Sequence, residues 1–512
     1  MNGWSPKGFG EVWRSAVADH GSRSFLVYEA PDGSVTSWTY EAFGEVVDEV
    51  ALDLAERGVE SGDAVHLALR NGPPFVAIWL ACMQLGAWIV PSDPMAKTPE
   101  LLDQMSRTRP VVGFCEHDRR CEYLGASTEL VMSTVVIAET SSEFGWLGVR
   151  VGDSSERLAP VPVEPTARAA VMFTSGTTGQ PKGVEVTQAN YAFAGHTMAK
   201  ASSLTHDDRQ IVVLPLFHAN AQYYSFASAI CVGASVALIH HFSASGFLGQ
   251  CARHGATAAS LFAAPIRMIL ARGDAADAVT LRHCWFAQNI AEDQYEQISA
   301  MLGCRPRQLY GMTETIPAVL TEDSAAPRAD MMGYVTEGCE VDLQDASGRS
   351  VTPGEVGEIV VRGEPGLTLF AGYLDAPEIT RDSYRDGWFR TGDRATRSSD
   401  GRYAFDGRRS DVLKVAGENV STVEVEAVLS AHPGVLEASV IGAPDEIRDE
   451  VPVAFIVTSD DGNPPSTEVL IEWCRKRLAP AKVPRDIVQL DELPRTSVGK
   501  IRKFKLRELV DA

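Results

Sequence analysis

From residue 37 onward, helical spacing of apolar residues alternates with short apolar runs. After Ser37-Trp38-Thr39-Tyr40, the apolar positions Phe43, Val46, Val47, Val50, Ala51 and Leu54 recur at helical spacing. Thr39 is placed to cap that helix, and Gly58 ends it. Residues 64–69 (AVHLAL) then read as a buried strand, residues from 74 onward as a buried helix, and residues 88–91 as the next strand. Residues 211–215, 235–240 and 257–263 give three more strands. Strands alternating with helices of this length predict an α/β fold, with mixed, mostly parallel sheets covered by helices.

From Gly333 the pattern shortens. Residues 340–343, 357–362 and 366–370 predict short strands separated by turn signals, a β-rich subdomain. Around Gly407 it changes again. Residues 407–512 predict helices at 421–431 and 466–478 and strands at 436–442 and 451–458, a small α+β domain of its own. This domain concentrates basic residues: Arg475, Lys476, Arg477, Lys482, Arg485, Arg495, Lys500, Arg502, Lys503, Lys505 and Arg507. Most of these read as a solvated face, but in an acidic chain a local basic edge also suits polyphosphate.

Composition narrows the function. The chain has 512 residues, 45% of them hydrophobic, with a formal net charge of −22. That length implies two or more domains. The negative charge argues against nucleic acid or an anionic membrane as partner. The nine cysteines are scattered, odd in number and without a C-x-x-C pair. They predict neither a disulfide framework nor a structural zinc site, and they suit the cytoplasm. The polar first thirty residues show no secretion signal. The most apolar stretch, residues 75–90, is broken by Gln84 and Gly86 and is short for a membrane span.

The chemistry concentrates first in TSGTTGQPKG, residues 174–183, directly after the apolar run 169–173. Glycine lets backbone approach a ligand closely, and successive N–H groups make an anion nest. Thr174, Ser175, Thr177 and Thr178 add hydroxyls around Gly176 and Gly179, and Lys182 adds a positive charge. The segment reads as a phosphate cradle or as a flexible surface loop. Its spacing fits neither the P-loop nor the dinucleotide-binding glycine pattern.

That string resembles the phosphate-loop signature of the adenylate-forming superfamily: acyl-CoA synthetases, peptide-synthetase adenylation domains and firefly luciferases. Further motifs follow in the family's order. Tyr310-Gly311-Met312-Thr313-Glu314 is similar to Y-G-x-T-E, and Trp388-Phe389-Arg390-Thr391-Gly392-Asp393 to W-[FYL]-x-T-G-D. Gly407-Arg408, with Lys414 and Gly417-Glu418-Asn419-Val420, resembles the hinge region, and residues 494–500 (PRTSVGK) the closing lysine motif. The resemblance runs from about residue 39 to 507.

The resemblance implies a two-step reaction. A carboxylate attacks the α-phosphate of ATP, giving acyl-adenylate and pyrophosphate, and a nucleophile, commonly the thiol of CoA, then displaces AMP. It implies Glu314 as ligand to Mg2+, Thr313 at the α-phosphate, Asp393 at the ribose hydroxyls and Arg408 supporting it. Lys500 would bridge carboxylate and phosphate, a task for a compact mobile charge. It also implies an adenylation domain at residues 1–406 and a mobile domain at 407–512 that rotates between steps, with Gly417 on the face serving the thiol step. The pivot position holds Ser410, followed by Asp411, where relatives carry Asp or Lys.

The acid pocket is implied at His218, Tyr223 and the wall Phe286-Ala287-Gln288-Asn289, where relatives have a glycine-rich turn. His218 reads either as a gate to that pocket or as a packed core residue, and the His240-His241 pair as structural. Gln288 and Asn289 thicken the wall, which favours a small or polar acid. Residues 417–426 and 441–445 resemble the CoA-ligase branch, in particular crotonobetaine/carnitine and short- or aryl-acid ligases. No carrier-protein segment follows Lys500. The leading expectation is an AMP-forming acid:CoA ligase, monomer or homodimer. Transfer of the adenylate to an amine or carrier protein, or activation of an oxyanion such as nitrite, stays open. An inactive nucleotide-binding scaffold would have lost one of Lys182, Glu314, Asp393 or Lys500, and all four are present.

Overall fold

The computed structural model describes residues 5–129, 134–138, 144, 161–174, 181–273, 279–408, 412–415, 418–445, 448–458, 464–496 and 501–510. The helix Tyr40–Glu56 begins where the cap predicts, with Thr39 Oγ1 accepting the Ala42 N–H at 3.1 Å. Its apolar face is buried at Phe43, Val46, Val47, Val50, Ala51 and Leu54. The helix Pro73–Leu85 is buried along its whole length. An all-round apolar helix needs neighbours on every side, and the topology supplies them. The helices Tyr40–Glu56, Pro73–Leu85 and Gln188–Ala201 share one core with strands from two large sheets.

The first sheet has nine strands, the second seven. In the first, Ser24–Glu29, Ser235–Ile239, Arg209–Val212, Ala258–Phe262, His283–Ala287 and Arg307–Tyr310 run parallel. Their carboxyl ends therefore lie along one edge, where open α/β sheets bind ligands. In the second, Ala64–Ala68, Trp88–Pro91, Val112–Glu116 and Thr134–Ala138 are parallel, while Arg168–Thr174 and Lys182–Thr187 form an antiparallel hairpin. The expected mixed, mostly parallel α/β architecture is present.

The β-rich part is a five-stranded antiparallel sheet built from Glu340–Gln344, Val356–Arg362, Tyr384–Arg385, Trp388–Arg397 and Tyr403–Arg408. The strand expected at 366–370 is absent. The N–H groups of Leu367, Thr368 and Leu369 all turn back to the Glu364 carbonyl, and Gly366 takes φ +75°. That is a tight turn, not extended chain. The strand expected at 211–215 is shifted to Arg209–Val212.

The small C-terminal domain has its own five-stranded sheet, dominated by the long antiparallel pair Val435–Asp445 and Asp449–Thr458. The helices Thr422–Ser430 and Thr467–Arg475 pack a separate core against it. All nine cysteines are unpaired. Among the described residues no helix is long and apolar enough to cross a membrane.

Candidate active site

Three loops at the carboxyl edge of the nine-stranded sheet carry the candidate residues. Residues 311–314 follow Arg307–Tyr310, Gln288 and Asn289 follow His283–Ala287, and His218 lies six residues beyond Arg209–Val212. Gly311 is required by crowding. A Cβ there would lie 2.8 Å from the Tyr224 hydroxyl and 2.9 Å from the Ala318 Cα. Thr313 heads a single turn, Thr313–Thr315, that Thr315 closes by accepting the Met312 N–H at 3.0 Å. Ile316 then takes φ 71°, ψ −78°. A β-branched residue rarely enters that region, and such strain clusters at functional sites.

Glu314 is buried, with 4% of its surface exposed. Its Oε1 accepts the Tyr373 hydroxyl at 2.9 Å. Burial raises its pKa above the ordinary carboxylate range, while the Tyr373 hydrogen bond and the charges of Lys182 and Arg408 pull the other way. Lys182 Nζ sits 4.8 Å from the centre of the Tyr373 ring. Lys182, Tyr373 and Glu314 thus meet, although they come from three distant parts of the chain.

Asp393 is equally buried. Its Oδ2 accepts the Tyr310 hydroxyl at 2.8 Å, and its Oδ1 the Arg408 Nε at 2.7 Å. Arg408 also acts electrostatically on Glu314. The two groups are therefore parts of one site. Among the described residues no three His, Cys, Asp or Glu gather as a metal cage. A cation held here would rely on Glu314 and on oxygens of the nucleotide.

Thr174 and Lys182 are cross-strand partners at the end of the hairpin where residues 175–181 connect its two strands. Ser175, Gly176, Thr177, Thr178 and Gly179 lie outside the described residues, as do Gly417, Ser410, Asp411 and Lys500. Arg107 fixes the base of the loop, donating to the Pro181 carbonyl at 2.8 Å and stacking on Phe173 at 4.9 Å. Nothing local marks Arg107 in the sequence.

His218 Nδ1 accepts the Asn220 N–H at 3.3 Å, and its ring meets Phe262 edge-on at 5.7 Å. Its loop is held two residues upstream. Leu216 N–H donates to Asn71 Oδ1 at 2.8 Å, and the Leu216 carbonyl accepts Gln222 Nε2 at 2.6 Å. Asn71 also donates to Leu214 and Ile239 at 3.0 and 3.1 Å, tying the end of one sheet to the other. Residues 220–227 then form a π-helix, a wide coil frequent at functional sites that apolar spacing did not foretell.

The expected pocket wall divides. Strand alternation turns Trp285 and Ala287 toward the central core and Phe286 to the opposite face, where it packs against Tyr295. Phe286 therefore does not belong to the wall. Tyr223 is fully buried beside Tyr191 and feels the Glu314 charge. Gln288 and Asn289 are exposed, and Gln288 adopts φ 74°, a glycine-like conformation. Asn289 Oδ1 accepts Gln308 Nε2 at 2.9 Å.

Much of the basic edge is neutralised. Lys482 pairs with Glu424, Arg485 with Asp486, Arg495 with Glu437, Lys503 with Glu426, and Arg475 and Lys476 with Glu472. A polyphosphate would have to compete for these cations. His240 is bound to Tyr28 and to the Asn71 carbonyl, in keeping with a structural role.

A nine-stranded, mostly parallel sheet, a hairpin-mounted lysine and buried carboxylates from two later motifs define a nucleotide-dependent ligase architecture. The chain belongs to the AMP-binding enzyme family: that family matches residues 13–374, and the AMP-binding enzyme C-terminal domain matches residues 424–500. Over 510 residues it is 32% identical to a crotonobetaine/carnitine–CoA ligase of Salmonella arizonae, covering 97% of this chain and 98% of that one. The corresponding enzyme of Proteus mirabilis is 30% identical over the same shares, 97% and 98%. Among solved structures, an anthranilate CoA ligase in complex with anthranoyl-AMP superposes with a TM-score of 0.89 at 26% identity, covering 98% of this chain and 97% of that one. The o-succinylbenzoate CoA synthetase of Bacillus subtilis, in complex with its acyl-adenylate intermediate OSB-AMP, gives 0.84 at 26% identity, covering 99% of each chain.

Proposed function

We propose that the protein is an AMP-forming acid:CoA ligase that activates a small carboxylic acid. The observation that carries this reading is the convergence of Lys182, Tyr373 and Glu314 with Tyr310, Asp393 and Arg408 in one site. In the first step a carboxylate oxygen of the acid bonds to the α-phosphorus of ATP, and the bond to pyrophosphate breaks. In the second, the sulfur of CoA bonds to the acyl carbon, AMP departs with the former carboxylate oxygen, and the thiol proton is lost to solvent or a base.

Each residue has work suited to its setting. Lys182 and the backbone of the loop it closes would hold the phosphates. Asp393, fixed by Tyr310 and Arg408, would accept the ribose hydroxyls. Thr313 would meet the α-phosphate at the head of its turn. Glu314 fits Mg2+, because a carboxylate ionised against its burial gains most from a nearby cation. The ion would supply charge neutralisation for the phosphates. Lys500 would join acid and phosphate, and the chain would divide near residue 407 into adenylating and mobile parts. The exposed polar side chains of Gln288 and Asn289 at the wall favour a small or polar acid.

Acid-dependent exchange of labelled pyrophosphate into ATP tests the first step, and CoA-dependent AMP release the second. The expected result is exchange with one or more small acids and thioester only when CoA is added. AMP released with an amine or with nitrite but not with CoA would replace the ligase reading, and no exchange with any acid would leave a binding scaffold.

A further inference from the structure

A chain of charge runs from the acid wall into the C-terminal domain. Arg267, on the helix Ala263–Arg272, donates one guanidinium nitrogen to the Asn289 carbonyl at 3.0 Å. Another nitrogen donates to Glu437 Oε1, also at 3.0 Å. Glu437 lies on the strand Val435–Asp445, and its other oxygen accepts Arg495. The backbone of Arg495 forms an isolated antiparallel bridge with that of Ile501, and Lys500 lies between the two in the sequence. Next to Ile501, Arg502 acts on Glu100 of the helix Thr98–Thr108.

This is not an ordinary surface pairing. The side chains of Arg267 and Glu437 keep only 19% and 9% of their exposure, and that of Arg495 26%. One carboxylate stands between two guanidinium groups that feel each other's charge. Without Glu437 they would repel across a partly desolvated gap, where charge interactions are stronger than in water. The fork geometry of arginine lets Arg267 hold the wall and the domain at once. Asn289 is itself pinned by Gln308, so the wall end of the chain is fixed.

We propose that Arg267, Glu437 and Arg495 are positioning residues that hold the C-terminal domain against the acid wall for adenylation. The inference rests on the ligase reading above and names the residues through which the wall reaches the C-terminal domain. The triad serves the step that needs Lys500 beside the acid, and the thiol step does not depend on it.

The test separates the two half-reactions in the full-length protein. In Glu437→Gln, a substitution that keeps shape and removes charge, acid-dependent pyrophosphate exchange falls about 10–100-fold, the scale of a misplaced catalytic group. Thioester formation from supplied acyl-adenylate and CoA stays within about twofold of wild type. Arg267→Ala slows exchange likewise and also raises KM for the acid, because Asn289 loses its donor. The double variant is no slower than the slower single one, as expected for members of one unit. Parallel loss of both half-reactions, or unchanged exchange in a variant with a wild-type thermal melt, overturns the inference. Absence of exchange in the wild-type protein would instead overturn the ligase reading.

Discussion

Glu314 shows how one side chain can cost stability and supply function. Its raised pKa means that the folded protein disfavours the ionised form. The linkage has a definite sign. At pH below the ordinary carboxylate range both states are protonated and nothing is lost. As pH rises toward the raised folded value, the unfolded chain ionises first and stability falls, after which the penalty is constant. Glu314→Gln therefore melts at or above the wild-type temperature at neutral pH, while acid-dependent exchange drops about 10²–10³-fold, as when a preorganised electrostatic contact is removed. A lower melt with unchanged exchange would contradict both halves. Gln288 is the second case. Its φ of 74° is unfavourable for any residue but glycine. Gln288→Gly should raise stability by about 0.5–1 kcal/mol, the left-handed strain less the entropy glycine adds. It should also improve kcat/KM for bulkier acids relative to the best small one, which a panel of straight-chain and aryl acids would read.

At the scale of elements, what sequence reveals depends on how local the cause is. The helix Tyr40–Glu56 was legible because its cap and its apolar stripe lie within it. The parallel strands were legible as apolar runs, although Arg209–Val212 lies upstream of its strongest apolar stretch because pairing with Ser235–Ile239 sets its limits. Residues 366–370 misled because Leu367, Leu369 and Phe370 look strand-like, while Gly366 and the Glu364 carbonyl decide for a turn. Phe286 misled because motif position says nothing of which face a strand residue takes. Asn71, Arg107 and Arg267 left no trace, since each acts across more than a score of residues on a backbone carbonyl. Asn71 carries a prediction at this scale. Asn71→Ala strands the Leu216 N–H and the carbonyls of Leu214 and Ile239, a cost of about 2–3 kcal/mol. Because these groups hold the His218 loop, KM for the acid should rise several-fold while KM for ATP stays near wild type. Equal rises in both would show a general loosening.

In the whole molecule, two bodies with separate cores meet over the carboxyl edge of the larger sheet. The smaller brings its basic residues largely paired, so its net contribution is shape and a few placed charges, not a positive field. Arg495 and Arg502 flank the Lys500 segment, and both lean on acidic partners: Glu437, tied to the large domain through Arg267, and Glu100 in the large domain itself. That placement matters only if the lysine acts in one step and is idle in the other. Lys500→Ala should abolish acid-dependent pyrophosphate exchange, because the proposed mechanism assigns the charge between carboxylate and phosphate to this lysine. The same variant, given acyl-adenylate and CoA, should form thioester at a rate close to wild type, because that step breaks no phosphoanhydride and gathers less charge. ATP binding should weaken only slightly, since Lys182, Asp393 and Arg408 remain. A quenched-flow measurement of both half-reactions on one preparation decides it. Loss of both together would mean that the lysine holds the fold of its domain and that the two steps share a single arrangement.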